Sequence, residues 1–299
     1  MKIADVFNSA YEELKKANIK NSKSLCFILF CKILKKDKAW VFAHFDDEID
    51  RKHFNEIKTG VKKLSENIPI HYVTEEKEFM SLSFHVNQSV LIPRYETELL
   101  VEEVISYCKK NDLTAPDILE LGTGSGCICV SLAHHMEHAR VISVEVSQDA
   151  LKIADRNVRK YNLENRVMLL NGDMLKEETY SKAMQLTQNK GFDMIVSNPP
   201  YICSGDISGL EPEVRGHEPY IALDGGDDGL RFYHFMSKHG PSILKQNGRI
   251  FLEAGFDTAK PASEIFEKCG FNTEIIKDYD GNDRIIACRR LAVVPESLY

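Results

Sequence analysis

From residue 117 to residue 287 the chain alternates between short apolar runs and amphipathic stretches at helical spacing, and no other feature constrains its fold as tightly. The run Ile118-Leu119-Glu120-Leu121 ends in glycines and opens a helical stretch with Val130 and Ala133 on one side. Further strands are predicted at 140–144, 167–170, 193–196 and 249–252. Ser147 is placed to cap a helix containing Leu151 and Ala154, and helices are predicted at 232–244 and 262–269. Such alternation predicts an α/β fold, an open and mostly parallel sheet with helices on both faces. Segments 272–276 and 284–287 flank Asp280-Gly281-Asn282, and strands joined by so short a turn must be antiparallel.

The first 70 residues read as a small helical bundle. Phe7, Ala10, Leu14 and Ala17 recur at helical spacing, as do Phe54, Ile57, Val61 and Leu64. The stretch 25–34 is apolar nearly all round, which predicts a helix buried between others, with Asn21, Ser22 and Ser24 available to cap it. The pattern changes near Ile68-Pro69, and alternation around Phe79, Phe84, Val86 and Val90 predicts a hairpin, followed by a helical run at 98–108. The predicted division is a helical domain at 1–75 and an α/β domain at 76–299, with 76–97 as a β-hairpin linker.

Composition narrows the function classes. The longest apolar stretch, 25–31, is far short of the ~20 residues a membrane helix needs, and no signal-peptide pattern follows Met1, so no membrane partner and a cytoplasmic location are expected. The 8 cysteines show neither Cys-x-x-Cys pairs nor zinc spacing, and His134, His135 and His138 lack a completing ligand, so reduced thiols and no metal are expected. The net charge is −7, distributed as +2 over residues 1–80 and −9 over the remainder. That balance disfavours nucleic acid as the partner.

Glu120-Leu121-Gly122-Thr123-Gly124-Ser125-Gly126 follows the first strand of the alternating region and opens a helix. Its Gly-x-Gly-x-Gly spacing differs from the dinucleotide fingerprint and from the phosphate loop. Glycines let the backbone approach a ligand, and the carboxyl ends of strands are where open α/β sheets bind them. Glu145, ending the second strand, can accept hydrogen bonds from both ribose hydroxyls of an adenosine. Asp173, after the third strand, is placed to meet an adenine amine. An acid in place of a phosphate-binding lysine favours a nucleoside without a phosphate chain. A tight turn with two surface acids is the plainer reading; acids ending successive strands weigh against it.

The strand at 193–196 runs into Asn198-Pro199-Pro200-Tyr201. Consecutive prolines fix φ and supply no N–H groups, and the residue before a proline is held extended. The segment is therefore stiff and offers mainly acceptors, the Asn198 side-chain oxygen and the Pro199 carbonyl. Two acceptors suit the two N–H bonds of an –NH2 group conjugated to a carbonyl or ring, with Tyr201 stacked on the planar group. Held so, a weakly nucleophilic nitrogen can direct its lone pair at an electrophile, here the sulfonium methyl of S-adenosylmethionine. Catalysis then needs positioning and electrostatics, with no strong base.

With these residues in view, the chain resembles the class I S-adenosylmethionine-dependent methyltransferases, and more narrowly the peptide chain release factor glutamine methyltransferases, the PrmC (HemK) family. The glycine loop and the Asn-Pro-Pro-Tyr segment carry the broader likeness. Leu91-Ile92-Pro93-Arg94 with Glu96-Thr97-Glu98, Glu218-Pro219, Gly225-Gly226, Asp228-Gly229-Leu230, and Tyr279 with Gly281-Asn282-Asp283-Arg284 narrow it. The resemblance implies a seven-stranded Rossmann-like class I methyltransferase sheet with a C-terminal antiparallel hairpin, plus a small N-terminal helical domain that grips the release factor. It implies methyl transfer to the side-chain amide nitrogen (N5) of the glutamine in a Gly-Gly-Gln motif, leaving S-adenosylhomocysteine. Carried over by position, Gly122, Thr123, Gly124, Ser125, Gly126, Glu145 and Asn198 contact the cofactor, and Asp173 and Met174 lie beside the adenine. Asn198, Pro199, Pro200 and Tyr201 hold the glutamine amide. Met174 stands where the family often has an aromatic residue, Tyr95 where it more often has proline, and Glu145 where aspartate is commoner. Two alternatives use the same catalytic segment: glutamine N5-methylation of a ribosomal protein, and adenine N6-methylation of nucleic acid.

Overall fold

The computed structural model describes residues 1–290. Among them no helix is long and apolar enough to cross a membrane, and the eight cysteines are free thiols. The chain forms two compact units. The smaller comprises Met1–Glu76, Val86–Gln88 and Leu210–Glu218; of the described residues, the larger comprises Lys77–His85, Ser89–Gly209 and 219–290.

In the smaller unit, helices α1 (Ile3–Lys16), α2 (Ser22–Leu34), α3 (Lys38–Ala43), α4 (Arg51–Ser65) and α5 (Ile70–Thr74) enclose one apolar core. Helical periodicity selects the inward stripe: Phe7, Ala10 and Leu14 on α1, and Ile57, Val61 and Leu64 on α4, are buried. On α2, Cys26, Leu29 and Phe30 are buried but Ile28 is 43% exposed, so the expected all-round burial is incomplete. The expected cap of α2 also differs. Asn21 sits in the left-handed region at φ 53° without a side-chain capping bond, and Ser22 turns its hydroxyl back to donate to the Ile19 carbonyl.

The larger unit is built on seven strands: β1 (Asp117–Leu121), β2 (Arg140–Glu145), β3 (Val167–Asn171), β4 (Phe192–Ser197), β5 (Leu244–Glu253), β6 (Phe271–Lys277) and β7 (Asp283–Arg290). Their order across the sheet is β6-β7-β5-β4-β1-β2-β3. Pairings among β1 to β5 are parallel. β7 runs antiparallel to both β5 and β6, as the short connection around Gly281 requires.

Side chains of each strand alternate between two apolar layers. Ile118 and Met194 face one layer with α6 (Tyr95–Lys110), α7 (Cys127–His135) and α8 (Gln148–Lys160), through Val104, Ile128 and Val158. Leu119, Leu121 and Ile195 face the other, with α9 (Glu177–Leu186), α10 (Arg231–His239) and α11 (Ala259–Lys268), through Tyr180, Tyr233 and Phe266. Helices on both faces satisfy a parallel sheet whose strands are apolar throughout.

Several predicted bounds shift for identifiable reasons. The helix predicted at 232–244 ends at His239, because Gly240-Pro241 cannot continue it; a 3-10 turn follows and β5 begins at Leu244. The helix predicted from 98 starts at Tyr95, immediately after the extended Arg94. The predicted hairpin consists of Glu76–Phe79 and Leu82–His85.

Strand order reverses direction at β1: successive strands β2 and β3 build one way, β4 and β5 the other. The carboxyl ends of β1 and β4 therefore border a crevice that no crossover helix fills, the point where such sheets take up ligands.

Candidate active site

The glycine loop lies at that switch point. Gly122 and Thr123 both donate backbone N–H groups to the Val144 carbonyl, at 2.9 and 3.0 Å, fastening the loop to the end of β2. Gly122, Gly124 and Gly126 adopt φ values of +87°, +53° and +80°, a region that L side chains rarely enter. A Cβ on Gly122 would also stand 3.1 Å from Met174 Cε, so that glycine keeps both the turn and the space beside Met174.

A cavity of about 320 Å³ opens here. Of the residues singled out from sequence, Gly122, Thr123, Gly124, Ser125, Glu145, Asp173, Met174, Asn198 and Pro200 line it. Gly126, Pro199 and Tyr201 do not. Gly126 caps α7, Pro199 is buried, and Tyr201 packs against the second apolar layer. Residues that sequence reasoning missed also line the cavity, among them Tyr220, Ile221 and Phe232, together with Thr97, which the sequence marks only as part of the Glu96-Thr97-Glu98 motif. The apolar members are ordinary core-type residues in sequence, and nothing local marks them.

The acids at the strand ends are held by backbone amides. Glu145 accepts N–H bonds from Gly124 and Ser147, each at 2.9 Å, on separate carboxylate oxygens. Asp173 accepts from Leu175 N–H at 2.8 Å, closing an Asx turn.

Asn198 donates through Nδ2 to Thr97 Oγ1 at 3.0 Å. Thr97 in turn donates to Glu253 Oε2 at 2.7 Å, and Tyr201 Oη donates to Glu253 Oε1 at 3.4 Å. Tyr233 Oη donates to the Glu253 backbone carbonyl at 2.8 Å. Glu253 ends β5 with 1% of its surface exposed. Burial pushes its carboxyl up to about 7, against the hydrogen bond from Thr97 and the Arg284 charge, which pull it down. Burial likewise raises the Tyr201 phenol, which remains a neutral donor at physiological pH.

A second buried acid lies beneath the glycine loop. Glu120 is wholly buried, accepts from Ser143 Oγ, and leaves Oε1 without a partner. Ser143 and Thr123 hydroxyls meet at 2.6 Å, linking this acid to the loop. Burial raises the Glu120 carboxyl to about 8 despite the Ser143 bond. Among the described residues no group of three or more His, Cys, Asp or Glu is arranged to hold a metal ion.

The family model for the methyltransferase small domain matches residues 95–208, and that for the PrmC N-terminal domain matches residues 5–74. A release factor glutamine methyltransferase of Clostridium acetobutylicum is 36% identical over 291 residues, covering 97% of this chain and 99% of that protein. One from Geobacter sulfurreducens is 34% identical, covering 92% of each. Among solved structures, the release-factor-specific protein-(glutamine-N5) methyltransferase of Alicyclobacillus acidocaldarius aligns with a TM-score of 0.42 and 29% identity, over 69% of this chain and 99% of that one.

A seven-stranded sheet with one reversed strand, and a glycine loop after its first strand, define a class I methyltransferase, an S-adenosylmethionine-dependent enzyme. Within that class, the chain belongs to the release factor glutamine methyltransferase family.

Proposed function

We infer that this enzyme transfers a methyl group from S-adenosylmethionine to the side-chain amide nitrogen (N5) of the glutamine in the Gly-Gly-Gln motif of peptide chain release factors, acting in the cytoplasm. The observation that carries the reading is the stiff Asn198-Pro199-Pro200 segment at the end of β4, beside the cavity that the glycine loop borders.

The residues present fit the cofactor. Gly122 removes the side chain that would close on Met174, Glu145 offers acceptor oxygens beside Gly124, and Asp173 and Met174 line the same cavity. Gly122 to Ser125 and Glu145 would hold the ribose and amino-acid portions, with Asp173 and Met174 at the base, Gly126 shaping the turn beneath. When bound, the cofactor supplies an electrophilic methyl on a sulfonium.

The chain's own contribution is positional. Asn198 Nδ2 is committed to Thr97, which leaves Oδ1 as the acceptor for one amide N–H of the substrate. The Pro199 carbonyl would accept the other, and neither proline carries an N–H that would oppose an incoming donor. Tyr201 buttresses this segment from the apolar layer beneath, and stacks on the amide plane only if it turns outward. Fixing both N–H bonds orients the nitrogen lone pair, the preorganisation by which such a site lowers the barrier. The smaller helical unit would engage the release factor, which needs no basic groove.

The test is incubation with labelled methyl donor and purified release factor. Label is expected in wild-type factor and absent from a Gln→Ala variant of its Gly-Gly-Gln motif. Equal label in that variant, or transfer to ribosomal subunits or DNA in preference to the factor, overturns the reading. Asn198→Ala is expected to lose turnover while keeping cofactor binding.

A further inference from the structure

Glu253 is a wholly buried acid at the end of β5 that does not itself line the cavity. Its two carboxylate oxygens are spent on two hydroxyl groups, Thr97 Oγ1 and Tyr201 Oη. A buried carboxyl is costly, and Glu253 does not line the cavity, so the proton that the amide nitrogen loses on methylation leaves to solvent rather than to this acid. Its position explains it. Thr97 stands between Glu253 and Asn198, 2.7 Å from one and 3.0 Å from the other.

We propose that Glu253, acting through the Thr97 hydroxyl, is a positioning residue that fixes which edge of the Asn198 side-chain amide the methyl-accepting amide meets. The proposal rests on the functional reading above.

The argument is one of donor and acceptor polarity. A threonine hydroxyl has one proton and two lone pairs. While Glu253 is a carboxylate it can only accept, so Thr97 must give it that proton. Thr97 is then an acceptor toward Asn198 and selects the Nδ2 edge. That leaves Oδ1 for the substrate –NH2. Without the carboxylate, Thr97 is free to donate to Asn198 Oδ1, and a half-turn of the amide presents –NH2 to –NH2, which cannot hydrogen-bond productively. The isolated rotation costs little, so an outside group has to decide it.

The charged and titratable groups around Glu253 come from several elements: Glu96 beside Thr97 on α6, Tyr201 after β4, Tyr233 on α10 through the backbone carbonyl, and Arg284 on β7. Arg284 is itself paired with Asp278 at 3.2 Å. Burial and Glu96 favour the neutral acid while Thr97, Arg284 and Tyr201 favour the carboxylate, leaving the group balanced near neutrality. The polarity that orients Asn198 is therefore present above that range and fades below it.

Two measurements test this. In the first, kcat is measured with release factor for Thr97→Val, Thr97→Ser and Glu253→Gln. Thr97→Val is expected to lower kcat roughly 10- to 100-fold, with cofactor affinity and KM nearly unchanged, and Thr97→Ser to restore most of the rate. Wild-type kcat should rise with pH through neutrality, and Glu253→Gln should flatten that rise. A Thr97→Val variant as fast as wild type overturns the proposal. The second needs no substrate. With 15N-labelled asparagine, the Asn198 side-chain –NH2 signals, assigned by their loss in Asn198→Ala, should shift between pH 5.5 and 8.5 in wild type and stay fixed in Glu253→Gln. Signals indifferent to pH and identical in Glu253→Gln overturn the proposal, whatever the methyl acceptor proves to be; signals indifferent to pH but displaced in Glu253→Gln support it with the acid ionised throughout. Absence of methylation by wild type with the pH-dependent signal intact overturns the functional reading alone.

Discussion

Gly124 donates its backbone N–H to one oxygen of the Glu145 carboxylate at 2.9 Å, while Ser147 N–H holds the other at the same distance. One side chain thus ties the tip of the glycine loop to the entry of α8. Both bonds are charge-assisted, and both need an acceptor. Glu145→Gln keeps the shape but supplies one acceptor oxygen, so an –NH2 must face one of the two N–H groups. Cofactor affinity by calorimetry is expected to fall roughly 10- to 100-fold, with a melting temperature lowered by only a few degrees. Unchanged affinity in the Gln variant would show that the carboxylate does not organise the loop.

Asn157 performs a comparable role from the other side. Wholly buried on α8, it donates to the Ser125 carbonyl at 2.8 Å and the His85 carbonyl at 2.9 Å, and accepts from His85 N–H at 2.8 Å. It joins the glycine loop to the edge of the hairpin. Asn157→Ala strands three backbone groups, and is expected to cost roughly 2–4 kcal/mol by urea unfolding. A loss under about 0.5 kcal/mol would mean water takes over all three bonds.

The parts of the site that are contiguous in sequence are the parts a reader of the sequence can find. Gly122 to Gly126 and Asn198 to Tyr201 each carry their geometry in local residue types, glycines that admit positive φ and prolines that fix it. The alternation reveals the strands and their mostly parallel sense, whereas their order across the sheet depends on which face each crossover helix packs against and is seen only in the fold. Thr97 and Glu253 are not legible in this way, because they lie 156 residues apart and meet only when β5 and α6 pack. Glu253 reads as the end of an apolar strand, and its burial cannot be inferred from Leu252 or Ala254. Local capping signals fail for the opposite reason: Asn21 and Ser22 offer several hydrogen-bonding solutions, and packing of α2 selects one.

The glycines that follow the Asn198-Pro199-Pro200-Tyr201 segment have a packing reason. A Cβ on Gly229, at φ +72°, would stand 2.5 Å from the Tyr201 carbonyl oxygen, and one on Gly225 would stand 2.8 Å from Tyr201 Cα. Both neighbours are backbone and cannot swing away. Gly229→Ala must therefore displace Tyr201, and with it the Asn198-Pro199-Pro200 run. The expected result is kcat at least tenfold lower with a cofactor Kd within about twofold of wild type, since misplacement of reacting groups costs rate before it costs binding. Equal losses in both would place the damage in the glycine loop instead.

Glu120 makes stability depend on pH in the opposite sense to an ordinary ion-paired acid. Burial raises its carboxyl from 4.5 to about 8 in the folded protein, so over that interval the native state holds a proton that the unfolded chain has released. Folding stability then falls as pH rises from 4.5 to 8, by a total on the order of a few kcal/mol from this group. Glu253 adds a contribution of the same sign between 4.5 and about 7. Glu120→Gln removes the proton that Glu120 must give up, while keeping an acceptor for Ser143. Urea unfolding of the cofactor-free enzyme at several pH values should show the variant gaining on wild type as pH increases, with the gain complete above pH 8. Wild-type and variant curves that stay parallel from pH 5 to pH 8 would mean that Glu120 is already ionised beneath the loop. The unpartnered Oε1 would then need a cation or ordered water that compensates it.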